Sequence, residues 1–164
     1  MLIRLATPSD APILARLNGV VQQVHHEALP DQFKAPDPDA VEPFFAEQLA
    51  RLEVVAYVAD EAGGGAVGYV LGEELHRSDS AFTASGSALY IHHIAVDPAV
   101  RHRGCGRALI HAIEDEAQRR GIENLRLDYW TFNEQAKGFF ASLGFEPFNE
   151  RARKALRSAR SSGY

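Results

Sequence analysis

Ile94-Ala-Val-Asp-Pro-Ala-Val-Arg101-His-Arg-Gly104-Cys-Gly106-Arg107-Ala-Leu109 is the stretch on which the reading of this chain turns. It continues an apolar run, residues 88–96, whose two-sided apolarity marks a central strand. Asp97-Pro98 stops that strand. Cys105, Ala108, Leu109, Ala112, Ile113 and Ala117 then recur at helical spacing until Gly121 ends the helix. The opening amides of a helix lack internal partners, and its dipole is positive there. Gly104 and Gly106 let an anion approach that backbone. Arg101, Arg103 and Arg107 fall there with His102 and His111, and no acid lies between Pro98 and Ile113. The combination predicts that residues 101–107 hold a diphosphate. The blander alternatives, packing glycines and a solvated basic face, are disfavoured by the strand-loop-helix setting. A Rossmann dinucleotide site fits worse, because the third glycine is missing.

Outward from this stretch, strands and helices alternate. Residues 2–6 predict a first strand. Thr7-Pro-Ser-Asp10 has helix-start chemistry, and Ile13, Leu14, Leu17, Val20, Val21 and Val24 follow at helical spacing until Pro30. Asp37 or Asp39 caps a second helix with the stripe Val41, Phe44, Phe45, Gln48, Leu49 and Leu52. Residues 53–59 and 66–75 form a hairpin about a glycine-rich turn. Downstream come a strand at 125–131, a helix at 133–143 and a last strand beginning at 145–148. The expected fold is α/β, a single domain with a mixed central sheet flanked by helices.

The chain has 164 residues, a size suited to one domain, with 46% hydrophobic and 24% charged residues, as in soluble proteins. No apolar run is long enough for a membrane span. No secretory signal is visible, so the expected location is cytoplasmic. Cys105 stands alone, which excludes an intrachain disulfide and a paired-cysteine zinc site. Residues 150–164 carry a net charge of +4 and residues 1–149 carry −9. The acidic body argues against a nucleic-acid partner and favours a cationic small molecule or peptide amine. The basic tail, 150–164, reads as a frayed terminus outside a domain of residues 1–149.

A second motif lies downstream: Leu125-Arg-Leu-Asp-Tyr-Trp130-Thr-Phe-Asn133-Glu-Gln-Ala136-Lys-Gly-Phe139-Phe140-Ala-Ser-Leu-Gly144-Phe145. Together with Val96 followed by Arg101-His-Arg-Gly104-Cys-Gly106, it resembles the GNAT superfamily of acetyl-CoA-dependent N-acetyltransferases. The resemblance covers about residues 1–148. It implies a GNAT-like acyl-CoA N-acyltransferase fold, acetyl-CoA as acyl donor, and direct attack by a primary amine in a ternary complex. It also implies that the backbone of Ile94, Ala95 and Val96 pairs with the pantetheine arm where two strands splay. Residues Arg101, His102, Arg103, Gly104, Cys105, Gly106 and Arg107 would wrap the diphosphate. Asn133 would contact the pantetheine side while also capping its helix. Phe140 stands where the family often has a tyrosine acid, and would pack on the pantetheine end. That departure motivates the alternative of a non-catalytic acyl-CoA-binding or sensor module.

The reaction itself narrows the candidates. An alkylamine with a pKa of about 10.4 must lose a proton, at roughly 4–5 kcal/mol near pH 7, so a general base is needed. His92 is the first choice, since strict alternation places Tyr90, His92, Ile94 and Val96 on one face and an imidazole suits the task. The alternative is a histidine packed in the core, the role expected for His93. Asp128 is the second candidate base, against a plain polar residue at a sheet edge. Of Glu73 and Glu74, alternation lets one face the amine. With Phe140 at the tyrosine position, either the thiolate leaves without a side-chain acid, or another group such as Tyr90 or Tyr129 supplies the proton, or activity is weak. Cys105 reads as a packing residue within the loop. His25, His26, Glu27, Asp31, Phe33 and Trp130 border the acceptor side, with no metal expected. Polyamine, amino-acid, antibiotic and protein N-terminal amines all stay open as acceptors, as does a homodimer.

Overall fold

Thr7 to Asp10 start a helix as their chemistry requires, but in two steps. Residues Pro8–Asp10 make a single 3-10 turn, and α1 (Ala11–Ala28) continues from it. The Asp10 carboxylate accepts from the Thr7 amide at 2.8 Å and from two Arg4 nitrogens at 2.8 and 2.9 Å. Arg4 Nε also donates to Asp60 at 2.7 Å, so one guanidinium ties the first strand, the second strand and the first helix together. Asp37 caps α2 (Pro38–Leu49) by accepting from the Ala40 amide.

The computed structural model describes residues 1–155. Its sheet runs β1 (Leu2–Leu5), β2 (Val54–Glu61), β3 (Gly65–Arg77), β4 (Gly86–Val96) and β5 (Leu125–Leu127), in that spatial order. Neighbours are antiparallel except β4 and β5, which are parallel and joined by the crossover helix α3 (Cys105–Arg119). On one face α1 and α2 bury Leu14, Leu17 and Phe45 against Val58, Tyr69 and Leu71. On the other, α3 and α4 (Glu134–Ala141) bury Leu109, Ile110, Ile113 and Phe140 against Val70, Leu89 and Ile91. The mixed α/β sheet with helices on both faces is the one expected. Gly68 on β3 lets α3 settle closely, since a Cβ there would stand 3.1 Å from Cys105 Sγ.

Five expectations change. β3 and β4 both run further into the loop that joins them than the expected 66–75 and 88–96, reaching Arg77 and Gly86. Leu52 lies beyond α2 and is 91% exposed, so it is not part of the apolar stripe. β5 stops at Leu127 rather than running to Thr131, and no strand follows α4 among the described residues. The expected strand at 145–148 instead lies in a segment where Phe148 sits against the Arg126 guanidinium. The expectation of a frayed tail falls, for residues 156–164, outside the described residues.

The fifth change matters most for function. Leu71 pairs with His93 and Gly72 pairs with Ile91, so His92 has no partner on β3. This is a β-bulge, one extra residue in β4 that breaks alternation. Strict alternation had put Tyr90, His92, Ile94 and Val96 on one face. In the structure, Ile94 and Val96 pack into the α3 side along with Leu89 and Ile91. His93 instead faces α2, with ring centroids 5.7 Å from Phe45 and 6.1 Å from Phe44.

Candidate active site

β4 and β5 part just before the bulge. Their pairing covers only Leu89 with Leu125, Tyr90 with Arg126 and Ile91 with Leu127. Beyond Ile91 the strands splay. The Asp97 amide donates to the Val67 carbonyl, toward β3. By the alternation of an antiparallel ladder, Ala95 also bonds toward β3, and Ile94 and Val96 turn their backbone into the gap. Ala95 is 3% exposed, packs among α1-side residues and pairs with Tyr69 on β3. The Val96 carbonyl accepts from Arg101 Nε at 3.3 Å.

The turn from Arg101 to Arg107 lies at the lower end of that gap. Gly104 is the N-cap of α3 at φ 84°, and His102 is also left-handed at φ 62°. The Ala108 amide makes the first intrahelical bond, to the Gly104 carbonyl. Among the described residues, no backbone or side-chain acceptor engages the amides of residues 102–107. Such a run of unsatisfied amides at a helix start has the donors that an anion needs. A Cβ on Gly104 would meet nothing within 4 Å, so the cradle is open. Gly106 has a different role, because a Cβ there would stand 3.0 Å from Phe139 Cζ. It is a packing glycine that lets α4 approach α3. Arg101 also donates to Gln135 at 3.3 Å, and Arg103 lies 3.6 Å from Glu61. Cys105 is 2% exposed, and burial pushes its thiol up, which suits packing rather than attack.

Near the bulge, His92 Nε2 lies 2.8 Å from Glu73 Oε2. Arg51 donates to the other Glu73 oxygen and, through Nη1, to Gln48 Oε1 at 3.0 Å. Burial alone would raise the Glu73 carboxyl, but the bonds from His92 and Arg51 win and hold it below its ordinary range. Glu74 points the other way, toward Arg120 at 3.2 Å, as alternation required. His93 is pushed down to about 4, first by burial and then by His92 and His25. It is neutral and packed, the structural role expected of it.

Asp128 lies just past β5 and is exposed. It bears on Tyr90, whose phenol is pushed up to about 12 by burial first and by Asp128 next. The Tyr90 ring lies 4.9 Å from that of His92. Asn133 caps α4, its side chain accepting from the Ala136 amide at 3.0 Å. Phe140 is 5% exposed, stacked on Tyr129 at 6.1 Å and packed against Phe139 and Phe145. Among the acceptor-side candidates, His25, Phe33 and Trp130 do meet, His25 and Phe33 at 4.9 Å and Phe33 and Trp130 at 5.2 Å. Phe132, which sequence reasoning missed, completes the cluster against His25 and Trp130. Its aromatic character one residue before the cap Asn133 was the available signal. Glu27 and Asp31 take no part in that ring cluster, and His26 bonds the Phe33 carbonyl oxygen at 2.8 Å. No cluster of metal-ligating side chains occurs among the described residues, and no helix among them is long and apolar enough to cross a membrane.

A family model described as the acetyltransferase (GNAT) family matches residues 21–145. The [ribosomal protein bS18]-alanine N-acetyltransferase of Escherichia coli (strain K12) is 42% identical over 52 residues, which are 32% of this chain and 35% of that protein. The match thus spans about a third of the length of the curated relatives. Among solved structures, a tetramutant of the BH1408 protein from Bacillus halodurans has a TM-score of 0.90 at 25% identity, covering 95% of this chain and 100% of that one. AAC(6')-Iy, solved in complex with the bisubstrate analog CoA-S-monomethyl-acetylneamine, has a TM-score of 0.73 at 20% identity, covering 96% and 98%. At that identity the likeness is one of fold.

Proposed function

The chain belongs to the acetyltransferase (GNAT) family, and on that premise we propose that it moves an acetyl group from acetyl-CoA to a primary amine by direct attack in a ternary complex. One observation carries the proposal. The open amides of residues 102–107, the gap edge at Ile94 and Val96, and the His92–Glu73 pair at the bulge follow one another along the splay of β4 from β5. Diphosphate, thioester and amine occupy that same order in a ternary complex.

Each residue then has a chemical task. Amides 102–107 bind the diphosphate through the helix dipole and direct hydrogen bonds, with Arg101, Arg103 and Arg107 adding charge. The Ile94 and Val96 edge takes the pantetheine arm, and an amide there faces the oxygen on which negative charge grows. Asn133 lines the pantetheine side. His92 takes the proton from the attacking ammonium, directly or through water. The new bond is C–N, the broken bond is C–S, and the thiolate leaves with coenzyme A. Tyr90 and Tyr129 are the hydroxyls available to protonate it, since Phe140 has none to give and is buried. Asp128, exposed beside Tyr90, draws the cationic amine toward the base. His25, Phe33, Trp130 and Phe132 wall the acceptor side.

The test is thermal shift with coenzyme A together with thiol release across polyamine, amino-acid, aminoglycoside and peptide N-terminal amines, on the parent, His92→Ala and Asp128→Ala. The proposal expects coenzyme A to stabilise all three proteins and turnover to collapse in His92→Ala. Binding of acetyl-CoA with transfer to no amine in the panel would instead favour the non-catalytic module that Phe140 suggests. Stabilisation by NAD or ATP but not by coenzyme A would reject both.

A further inference from the structure

Resting on the reading of His92 as the base, we propose that Glu73, held from its far side by Arg51, is a positioning residue that fixes which imidazole nitrogen of His92 carries the proton. An ionised carboxylate only accepts hydrogen bonds. Glu73 Oε2 lies 2.8 Å from His92 Nε2, so Nε2 holds the N–H and donates it. In the neutral ring, Nδ1 then keeps the free lone pair. That nitrogen is the one left to take the amine's proton, and the carboxylate stabilises the imidazolium that results.

The backbone explains why these two residues meet. Glu73 is paired in the ladder with Tyr90, and the bulge leaves His92 unpaired on β3. The extra residue therefore leans its ring back over Glu73. Arg51, just past α2, donates to Glu73 Oε1 and is itself anchored to Gln48. A guanidinium has five donors and no acceptor, so Arg51 demands an oxygen. The carboxylate satisfies both neighbours because both of its atoms accept.

This arrangement makes an isosteric change worse than a truncation. In Glu73→Gln, Arg51 claims the amide oxygen and turns the amide NH2 toward His92. Nε2 must then accept, which moves the ring proton to Nδ1 and blocks the working nitrogen. In Glu73→Ala, neither tautomer is imposed and a fraction of molecules keeps Nδ1 free. Replacing Arg51 by methionine in the Gln variant frees the amide to rotate its oxygen back to His92.

The experiment compares the parent, Glu73→Ala, Glu73→Gln and Glu73→Gln/Arg51→Met. It reads steady-state kinetics and long-range 15N–1H spectra of the imidazoles, with His92 assigned by its loss in His92→Gln. The expected spectra show the Nε2–H tautomer in the parent, Nδ1–H in Glu73→Gln, and Nε2–H again in the double variant. Turnover should fall about 100-fold in Glu73→Gln, the lower end of what a general base supplies, and about tenfold or less in Glu73→Ala. The double variant should recover most of that gap, with KM for acetyl-CoA constant throughout. Glu73→Gln at or above Glu73→Ala in turnover, or an unchanged tautomer, would overturn the positioning role and leave acetyl transfer intact. A parent that acetylates no amine would remove the functional reading, and the spectra would still decide the tautomer.

Discussion

Replacing Gly104 by alanine isolates what the left-handed turn before α3 contributes. Gly104 sits at φ 84°, ψ −2° as the N-cap. A Cβ there would touch nothing within 4 Å, so the substitution causes no clash and its cost is purely conformational. A left-handed backbone costs an L-residue about 1–2 kcal/mol, and reduced entropy of the unfolded chain returns about 0.5 kcal/mol. The net penalty of about 1 kcal/mol appears in one of two places. If the turn keeps its shape, the penalty is lost stability, read as a lower urea midpoint. If the turn relaxes to negative φ, the amides of residues 102–107 diverge, and the ligand must pull them back. Coenzyme A affinity then falls about fivefold. Urea melts and calorimetry on the same preparations should find the two losses summing to that value. Pantetheine, which has no diphosphate, should bind parent and variant alike, and Gly104→Asn should recover most of the loss because asparagine tolerates this conformation. A Gly104→Ala protein equal to the parent in both stability and coenzyme A affinity would refute the turn as the diphosphate cradle.

Other expectations follow from the same geometry. His92→Gln should lower kcat by about 10²–10⁴-fold, the range for a lost general base, and leave KM for acetyl-CoA unchanged in steady-state assays. His93, depressed to about 4 from 6.5 mainly by burial, is protonated in the unfolded chain before it is in the folded one. Stability should therefore drop by about 3 kcal/mol as pH falls from 6.5 to 4, with His25 adding in the same direction. His93→Leu should flatten urea midpoints across that window. Asp10 behaves differently, because its pKa is lowered from 3.8 to about 2, first by the Arg4 bond, against burial. Its contribution of about 2.5 kcal/mol is present above pH 3.8 and lost as pH falls toward 2, and Asp10→Asn should remove that acid dependence.

Much of the sheet was legible because local signals agree with the global fold. Asp37 and Asn133 both cap the helices they precede. Gly104 was legible from its neighbours as a glycine where an anion approaches a helix start, but its positive φ, a backbone requirement that glycine meets, carried no mark in the sequence. Gly106 was not separable from it in the sequence. Both belong to one Gly-x-Gly pattern, yet Gly106 serves the close contact with Phe139, a residue more than thirty positions away. Phe140 was placed at the pantetheine end by analogy with a tyrosine. Its burial against Tyr129, Phe139 and Phe145 depends on how α4 meets α3, which periodicity does not encode. The missing last strand has a similar origin. Phe148 finds its partner in the Arg126 guanidinium, a tertiary contact that overrides the propensity of a short aromatic segment for a strand.

The bulge at His92 was the feature least open to sequence reasoning, and the site depends on it twice. A run such as Tyr90-Ile-His-His-Ile-Ala-Val96 reads as unbroken alternation, because period-two logic carries no mark for an inserted residue. With alternation intact, Ile94 and Val96 would share a face with His92, and β4 would have no local reason to leave β5. The extra residue separates the two histidines into different environments. His93 turns toward Phe44 and Phe45 and stays neutral in the core, while His92 swings over Glu73. The same step rotates the downstream backbone, and β5 pairs with β4 only as far as Ile91. In the proposed mechanism, one inserted residue thus both opens the edge for the thioester and aims His92 beside it. A base carried on a separate loop would have to be held in register with that edge by contacts of its own, whereas here the register is built into the strand.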